Sequence, residues 1–373
     1  MSLPEEQRLD LARKLYQRSI WNDVTTVSQN RHLRRPLVVE LDPTSFCDLS
    51  CPECISGPLL NQRRFTTERL GNLAREMVEL GVRAVILIGG GEPLLHPGTK
   101  EVIRILGSDG IRVGVTTNGT MIHRHLDVLA EFATWTRVSV DAGSAGCYAR
   151  FRPSRSAKNA FEIVINNMKL LADKKQGAMG FSYLLIARKA TNGTLGDHNF
   201  DEIVTAALLA KSIGCDYFEL KPAYDLEHYL IDQPRDLLNS LIHQIDSLFK
   251  VSDKTFSVIA PNSLRAVIHG EPRIEPKDYD KCTIAELRTL ITPQGAFICP
   301  YHRGDSARKY GDPTTESIQS MWNSSARREV VANTNPSRDC QFHCIRHPSN
   351  LELTRIGNSE ENSLPIEDYD VFI

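Results

Sequence analysis

The sequence predicts an α/β protein built from six strand–helix units and a smaller C-terminal unit, and three observations predict it. Between Pro36 and Pro222, short β-branched runs alternate with longer stretches of helical period, the pattern of βαβ units on a parallel sheet. The runs lead into polar or glycine-rich segments. After Lys221 the alternation stops. Six such repeats either close into an incomplete barrel or lie open as a doubly wound sheet, and in both cases functional residues gather at the carboxyl ends of the strands. Periodicity alone does not separate the two.

Taken in order, 36 residues precede the first strand, with a helix expected over Glu5 to Tyr16. The strands are expected at Leu37 to Leu41, Ala84 to Ile88, Arg112 to Thr116, Arg137 to Val140, Phe181 to Ile186 and Tyr217 to Leu220, all short and mostly apolar as buried parallel strands are. The helix after the first strand shows the local logic: Thr66 or Thr67 caps it, Leu70, Leu73, Met77 and Leu80 recur at spacings of three and four, and Gly81 ends it in the left-handed conformation. Helices of the same kind run through Phe161 to Leu171 and Ile203 to Ile213. A helix over Asp236 to Leu248 then leads into a glycine- and proline-richer segment, where Thr292-Pro293-Gln294-Gly295 signals a hairpin. The expected domains are a helical extension over 1–36, the six-unit domain over 37–233 and the smaller unit over 234–373.

Of the 373 residues 41 % are hydrophobic and 24 % charged, and the net charge is −2, so the chain is a folded protein without the basic footprint of a nucleic-acid or acidic-membrane binder. No apolar run reaches the roughly 18 residues of a membrane helix, and Met1 to Asp10 is polar rather than signal-like; a cytoplasmic location is expected. In that compartment nine cysteines are not a disulfide framework, so metal binding, catalysis or burial has to explain them. Cys47, Cys51 and Cys54 form a tight CxxxCxxC group, Cys282, Cys299, Cys340 and Cys344 a looser one, and Cys147 and Cys215 stand alone.

The expected strand ends carry the polar chemistry. Asp42-Pro43-Thr44-Ser45-Phe46 and the triplet follow the first strand, Gly89-Gly90-Gly91-Glu92-Pro93 the second and Thr117-Asn118-Gly119 the third; the fourth carries Ser139 and ends at Asp141, two apart on a strand and so expected to face the same side, and the sixth ends at Lys221-Pro222. Three thiolates in eight residues hold three irons of a 4Fe–4S cube and leave the fourth open to a non-protein ligand, whereas a closed structural site takes four protein ligands. A zinc ion completed by a remote His or Cys also fits the triplet.

The triplet, the Gly-Gly-Glu-Pro segment and the Ser and Asp of the fourth unit together resemble the radical S-adenosylmethionine (SAM) superfamily over about Val38 to Pro222. The resemblance implies a partial (β/α)6 barrel and an enzyme in which the open iron is chelated by SAM's methionine, one electron cleaves the sulfonium, and a 5′-deoxyadenosyl radical abstracts a substrate hydrogen. It implies that Cys47, Cys51 and Cys54 hold the cluster. It further implies that Gly89, Gly90, Gly91 and Glu92 line the methionine amino group, that Asn118, Ser139 and Asp141 meet the ribose or methionine, and that Arg150 or Arg152 pairs with the carboxylate, a solvated loop face being the alternative for the two arginines. An electron donor such as flavodoxin or ferredoxin is implied as partner. The family usually has an aromatic residue just before the third cysteine, along the adenine; here that residue is Glu53.

The C-terminal cysteines, with the hairpin glycine Gly295 and the Gly311-Asp312 to Trp322 segment, resemble the auxiliary-cluster extension called twitch, a shortened SPASM domain. That resemblance implies a second 4Fe–4S cluster on Cys282, Cys299, Cys340 and Cys344, with zinc in the same ligands as the alternative, and a role in electron transfer or in structure. The gap from Gly295 to Cys299 is one residue shorter than usual. Among the remaining residues, Cys147 is either a hydrogen-atom donor or a packed thiol, and Cys215 belongs to the core. Lys221, with Tyr224 nearby, is expected to face substrate, either as an acid or base or as an anion-binding or structural lysine. His302, His343 and His347 are second-shell or substrate candidates.

These features lead to a radical SAM enzyme, an oxidoreductase, lyase or epimerase, acting on a small polar metabolite such as a sugar, aminocyclitol or nucleotide-sugar. A maturase of ribosomal peptides is the alternative, although the 36 residues before the first strand are too few for the leader-binding domain such maturases often carry. A non-enzymatic iron–sulfur redox sensor is a third reading, which leaves the Gly-Gly-Glu segment without purpose.

Overall fold

The computed structural model describes residues 10–188, 196–222, 235–260, 264, 276–359 and 365–373. They divide between two compact units interleaved along the chain. The first comprises Met1–Phe46, Asn61–Gly114 and Pro276–Ile373; the second comprises Cys47–Leu60 and Val115–Glu275. The strands among the described residues are β1 (Val38–Leu41), β2 (Ala84–Leu87), β3 (Arg112–Thr117), β4 (Ala133–Ser139), β5 (Ala178–Leu185), β6 (Tyr217–Pro222), β7 (Ser257–Ile259), β8 (Arg288–Thr292), β9 (Gly295–Phe297) and β10 (Lys309–Gly311). The fold is α/β with parallel pairing, as expected. The domain limit expected between 233 and 234 lies outside the described residues.

In the first unit β1 is buried along its whole length and paired in parallel on both sides, to β2 in the register Val38↔Ala84 and to β8 in the register Val38↔Arg288. β8 returns through the expected turn, where Thr292 Oγ1 accepts the N–H groups of Gln294 and Gly295, into antiparallel β9, which in turn pairs antiparallel with β10. The helix Thr67–Leu80 begins where Thr66 Oγ1 accepts the Arg69 N–H at 3.1 Å and ends at Gly81, whose φ of +70° is the left-handed cap. Its buried face is Leu70, Leu73, Ala74 and Met77.

The N-terminal expectation is corrected. The described part of Glu5 to Tyr16 contains a four-residue 3-10 turn, Arg13–Tyr16, and the α-helix lies further on at Trp21–Ser28. The side chain of Asp10 folds back onto the N–H groups of Ala12 and Arg13, and Gln17 is buried against the C-terminal segment through the Tyr369 and Asp370 N–H groups, so polar contacts rather than helix propagation set the chain direction there.

In the second unit β4, β5, β6 and β7 lie parallel in that order. Phe181 of β5 and Phe218 of β6 stack at 5.5 Å between ring centroids. The helix Ile203–Ile213 ends at Gly214 with φ +95°, and Arg235–Phe249 covers the helix read as Asp236 to Leu248.

One charged residue sits inside the β1 core. Glu40, 3 % exposed, is bonded by Arg288 of β8 and, at 2.7 Å, by Arg346; Arg288 also donates to the Ile373 carbonyl oxygen. Burial pushes the Glu40 carboxyl up, but the two guanidinium groups overcome this and hold it below the usual carboxylate range. Its stabilising effect is therefore complete above about pH 5 and is lost as pH falls through the lowered folded value. Glu40→Ala leaves two buried cations short of a partner, and denaturant unfolding at pH 7 is expected to show a loss of about 3–5 kcal/mol.

Candidate functional site

The triplet belongs to the second unit, on a loop fastened to the segment after Phe151. The Ser50 N–H donates to the Pro153 carbonyl at 2.8 Å, the Arg155 N–H donates to the Asp48 carbonyl at 2.9 Å, and Leu49 and Ser154 form an antiparallel bridge. Asn118 completes the fastening. Its Nδ2 donates to Asp48 Oδ1 at 2.8 Å and lies 4.0 Å from Cys47 Sγ, while its Oδ1 accepts from the Thr120 N–H and hydroxyl. The residue expected to meet SAM thus also holds the cysteine loop in place.

Asp141 departs from the strand geometry assumed for it. β4 ends at Ser139, which pairs in register with Ser182, and Asp141 adopts φ +57°, so strand alternation does not carry Ser139 and Asp141 to a common side. This backbone lets Asp141 Oδ1 accept the Leu184 N–H at 2.7 Å while the Asn199 amide donates to the Asp141 carbonyl at 3.0 Å. The other carboxylate oxygen takes Arg152 Nη1. Arg152 is also the principal positive charge against Cys51, whose thiol burial pushes up and Arg152 draws down. Arg150 is exposed, and its carbonyl accepts Arg188 Nη2 at 3.0 Å.

Lys221, at the end of β6, lies 3.2 Å from Glu219 Oε2, and Arg137 Nη1 of β4 reaches the same oxygen at 3.2 Å. Burial and the charge of Arg137 lower the Lys221 ammonium from its usual value, against the pull of Glu219. Tyr224 lies outside the described residues. Cys147 is buried on the helix Ala145–Phe151, with Sγ 4.0 Å from the Asp141 carbonyl, and burial followed by the charge of Glu202 pushes its thiol up to about 12. Cys215 is buried, as a core residue is.

The glycine run belongs to the first unit. A Cβ on Gly91 would lie 2.3 Å from the Phe46 carbonyl oxygen, and one on Gly89 would collide with the Gly91 carbonyl, so the protein's own backbone already requires both glycines. The Gly90 N–H bonds to Asp42, whose buried carboxylate is held by Arg303 through Nε at 2.6 Å and Nη2 at 3.1 Å. The Glu92 N–H donates to the Phe46 carbonyl at 2.9 Å, and its Oε1 caps the turn Pro93–Leu95 by accepting the Leu94 N–H at 3.0 Å. Arg303 was absent from the sequence reading, and nothing local announces it.

The first unit also holds the four C-terminal cysteines. Burial, with the charges of neighbouring thiolates, pushes Cys282, Cys299 and Cys340 up to about 12; Arg346 opposes this at Cys299 and Lys277 at Cys340. Asn350 Nδ2 lies 3.8 Å from Cys282 Sγ and His302 Nε2 lies 3.7 Å from Cys340 Sγ, while Lys277 Nζ donates to the Cys340 and Phe342 carbonyls at 2.7 and 2.9 Å. His347 Nδ1 bonds with the Tyr279 hydroxyl at 3.0 Å. Among the described residues no three His, Cys, Asp or Glu side chains converge closely enough for one metal ion.

Residues 41–194 match the family model of the Radical SAM superfamily. The match spans 154 of the 373 residues, so this segment is the part of the chain that resembles the superfamily, and the resemblance implies SAM and a 4Fe–4S cluster. It is 29 % identical over 148 residues to the GTP 3′,8-cyclase of Synechocystis sp. (strain ATCC 27184 / PCC 6803 / Kazusa), covering 38 % of this chain and only 43 % of that protein. It is 23 % identical over 305 residues to the mycofactocin maturase MftC of Mycolicibacterium smegmatis, covering 78 % of this chain and 71 % of that protein. Streptococcus suis SuiB bound to the precursor peptide SuiA shares the fold at TM-score 0.59 and 13 % identity, over 95 % of this chain and 79 % of that one. The fold class is accordingly the α/β partial barrel expected from the sequence. No helix among the described residues is long and apolar enough to cross a membrane.

Two measurements check this geometry. Asn118→Ala should keep the fold but cut retention of reconstituted iron about tenfold, followed as loss to a chelator. At pH 7, alkylation of Cys147 followed by mass spectrometry should be at least tenfold slower in the native protein than in the denatured chain, because burial hides the sulfur and pushes its thiol up to about 12.

Proposed function

We propose that this protein is a radical SAM enzyme that modifies a peptide, with Cys47, Cys51 and Cys54 holding the SAM-binding cluster and Cys282, Cys299, Cys340 and Cys344 holding an auxiliary one. One observation carries the choice of substrate class. The likeness to GTP 3′,8-cyclases covers 38 % of the chain for the Synechocystis protein and 51 % for that of Marinobacter nauticus, whereas the likeness to MftC and to SuiB, the latter seen with its precursor peptide, runs over 78 % and 95 %. A shared SAM-cleaving segment accounts for the first, and the second extends into the C-terminal part of the chain. The peptide reading therefore takes precedence over the sugar, aminocyclitol or nucleotide-sugar expected from the sequence.

When bound, the cluster and SAM supply the one-electron cleavage that starts the reaction. The protein's part is to hold and orient. The Asn118–Asp48 bond and the backbone pairing of 49–50 with 153–155 keep the triplet loop in register. Gly90, Gly91 and Glu92 are assigned to the methionine end of SAM, with Asp42 and Arg303 bracing the run from below. Lys221 is the group best suited to exchange a proton with substrate, because burial and Arg137 lower its affinity for one while Glu219 keeps it in place. Cys147 is given no step in this reading. A flavodoxin- or ferredoxin-type donor is the assigned source of the electron.

Anaerobic reconstitution of the wild type and of a Cys282→Ala/Cys299→Ala variant tests the assignment. The wild type is expected to hold about eight irons and the variant about four, with both forming 5′-deoxyadenosine. Precursor peptides should then lose mass in step with 5′-deoxyadenosine only in the wild type. Turnover that follows nucleotide-sugars or polyols, with no peptide changed, restores the small-metabolite reading.

A further inference from the structure

At the position where the family places an aromatic residue, this chain has Glu53, and the second unit shows what Glu53 organises. Its side chain is 5 % exposed, and Oε1 accepts Arg188 Nε at 2.5 Å. Arg188 Nη2 donates to the Arg150 carbonyl at 3.0 Å, and Nη1 lies 3.5 Å from Asp197 Oδ2, so all three edges of the guanidinium are engaged and its plane is fixed. One face of that plane lies over the Phe151 ring, 4.7 Å from its centroid. The side chain nevertheless stays 26 % exposed. Glu53 Oε2, in contrast, is buried without a hydrogen-bond partner among the described residues.

A buried carboxylate oxygen with no donor is costly, and a fixed guanidinium plane backed by a phenyl ring is a stacking platform for a heterocycle. Glu53 immediately precedes Cys54. We propose that the Phe151–Arg188 stack, clipped by Glu53, is the purine-binding wall for SAM in this protein: adenine stacks on the open face of Arg188, and its 6-amino group donates to Glu53 Oε2. The proposal rests on the assignment of the SAM-binding cluster to Cys47, Cys51 and Cys54. It replaces a ring supplied within the cysteine motif by a platform supplied from the end of β5.

Equilibrium binding to the anaerobically reconstituted enzyme tests it, with SAM and free methionine as probes and iron content measured alongside. Methionine reaches the open iron but has no purine. For Arg188→Ala the expected result is SAM binding weakened about tenfold, with methionine binding within twofold of wild type and iron unchanged. Arg188→Lys, which keeps the charge and loses the plane, should lose as much. SAM binding within twofold of wild type in either variant overturns the proposal. Equal losses for SAM and methionine overturn it too, since Arg188 then acts through the cysteine loop. A wild type that holds iron but binds neither probe refutes the cluster assignment instead. The 6-oxo analogue of SAM should bind the wild type at least tenfold more weakly than SAM, and Glu53→Gln, which presents an N–H, should narrow that gap; an unchanged gap removes Glu53 from purine recognition.

Discussion

The interaction on which the first unit depends is the pairing of one buried carboxylate, Glu40, with two guanidinium groups. β1 is the centre of that unit, with both edges paired and all four residues buried, and Glu40 is the single charge on it. Arg288 enters from β8, 248 positions away along the chain, and Arg346 from the segment just after Cys344. A buried ion group of this kind seldom adds net stability over an apolar core, but each member makes the others obligatory. In the observed register, Val38 opposite Arg288, the Arg288 side chain meets Glu40, and Arg346 on the same carboxylate also places its charge against Cys299 and Cys344.

The polar residues near the cysteine loop and the glycine run are largely committed to one another. Asn118 is engaged at both ends of its amide, Asp141 through both carboxylate oxygens, and Glu92 through an N-terminal cap. Such commitment is what a site on loops requires, because a cofactor held at an open iron is positioned no better than the loop beneath it. Polar strand-end residues were read from the sequence as ligand contacts. The structure shows that several of them also brace the backbone, and a sequence pattern does not distinguish the two tasks.

Legibility followed the range of the interaction. Thr66 and Gly81 bounded their helix because capping and left-handed glycine are decided within a few residues, and the strands of the six units appeared within a few positions of where β-branched runs placed them. The parallel pairing of β8 with β1 left no such mark. Neither did Arg303 on Asp42 or Arg188 on Glu53, since an arginine that crosses more than a hundred residues to its carboxylate looks like any surface arginine in one sequence. Asp141 was misplaced for a related reason: alternation assumes the strand continues, and a left-handed residue supported by Leu184 and Asn199 is visible only once those partners are in place.

The surroundings of the two cysteine sets differ in a way that bears on the proposed chemistry. Around the triplet the nearest cation, Arg152, is spent on Asp141, which leaves little net positive charge against the thiols. Around the C-terminal set, Lys277 donates to main-chain carbonyls rather than to a carboxylate, Asn350 presents an amide, and Arg346 shares Glu40 with Arg288. Cations and hydrogen-bond donors beside a cluster stabilise its more negative, reduced state and raise its potential. If a cluster binds there, Cys282, Cys299, Cys340 and Cys344 would hold it, with Lys277, Asn350 and Arg346 supplying the donors and positive charge beside it.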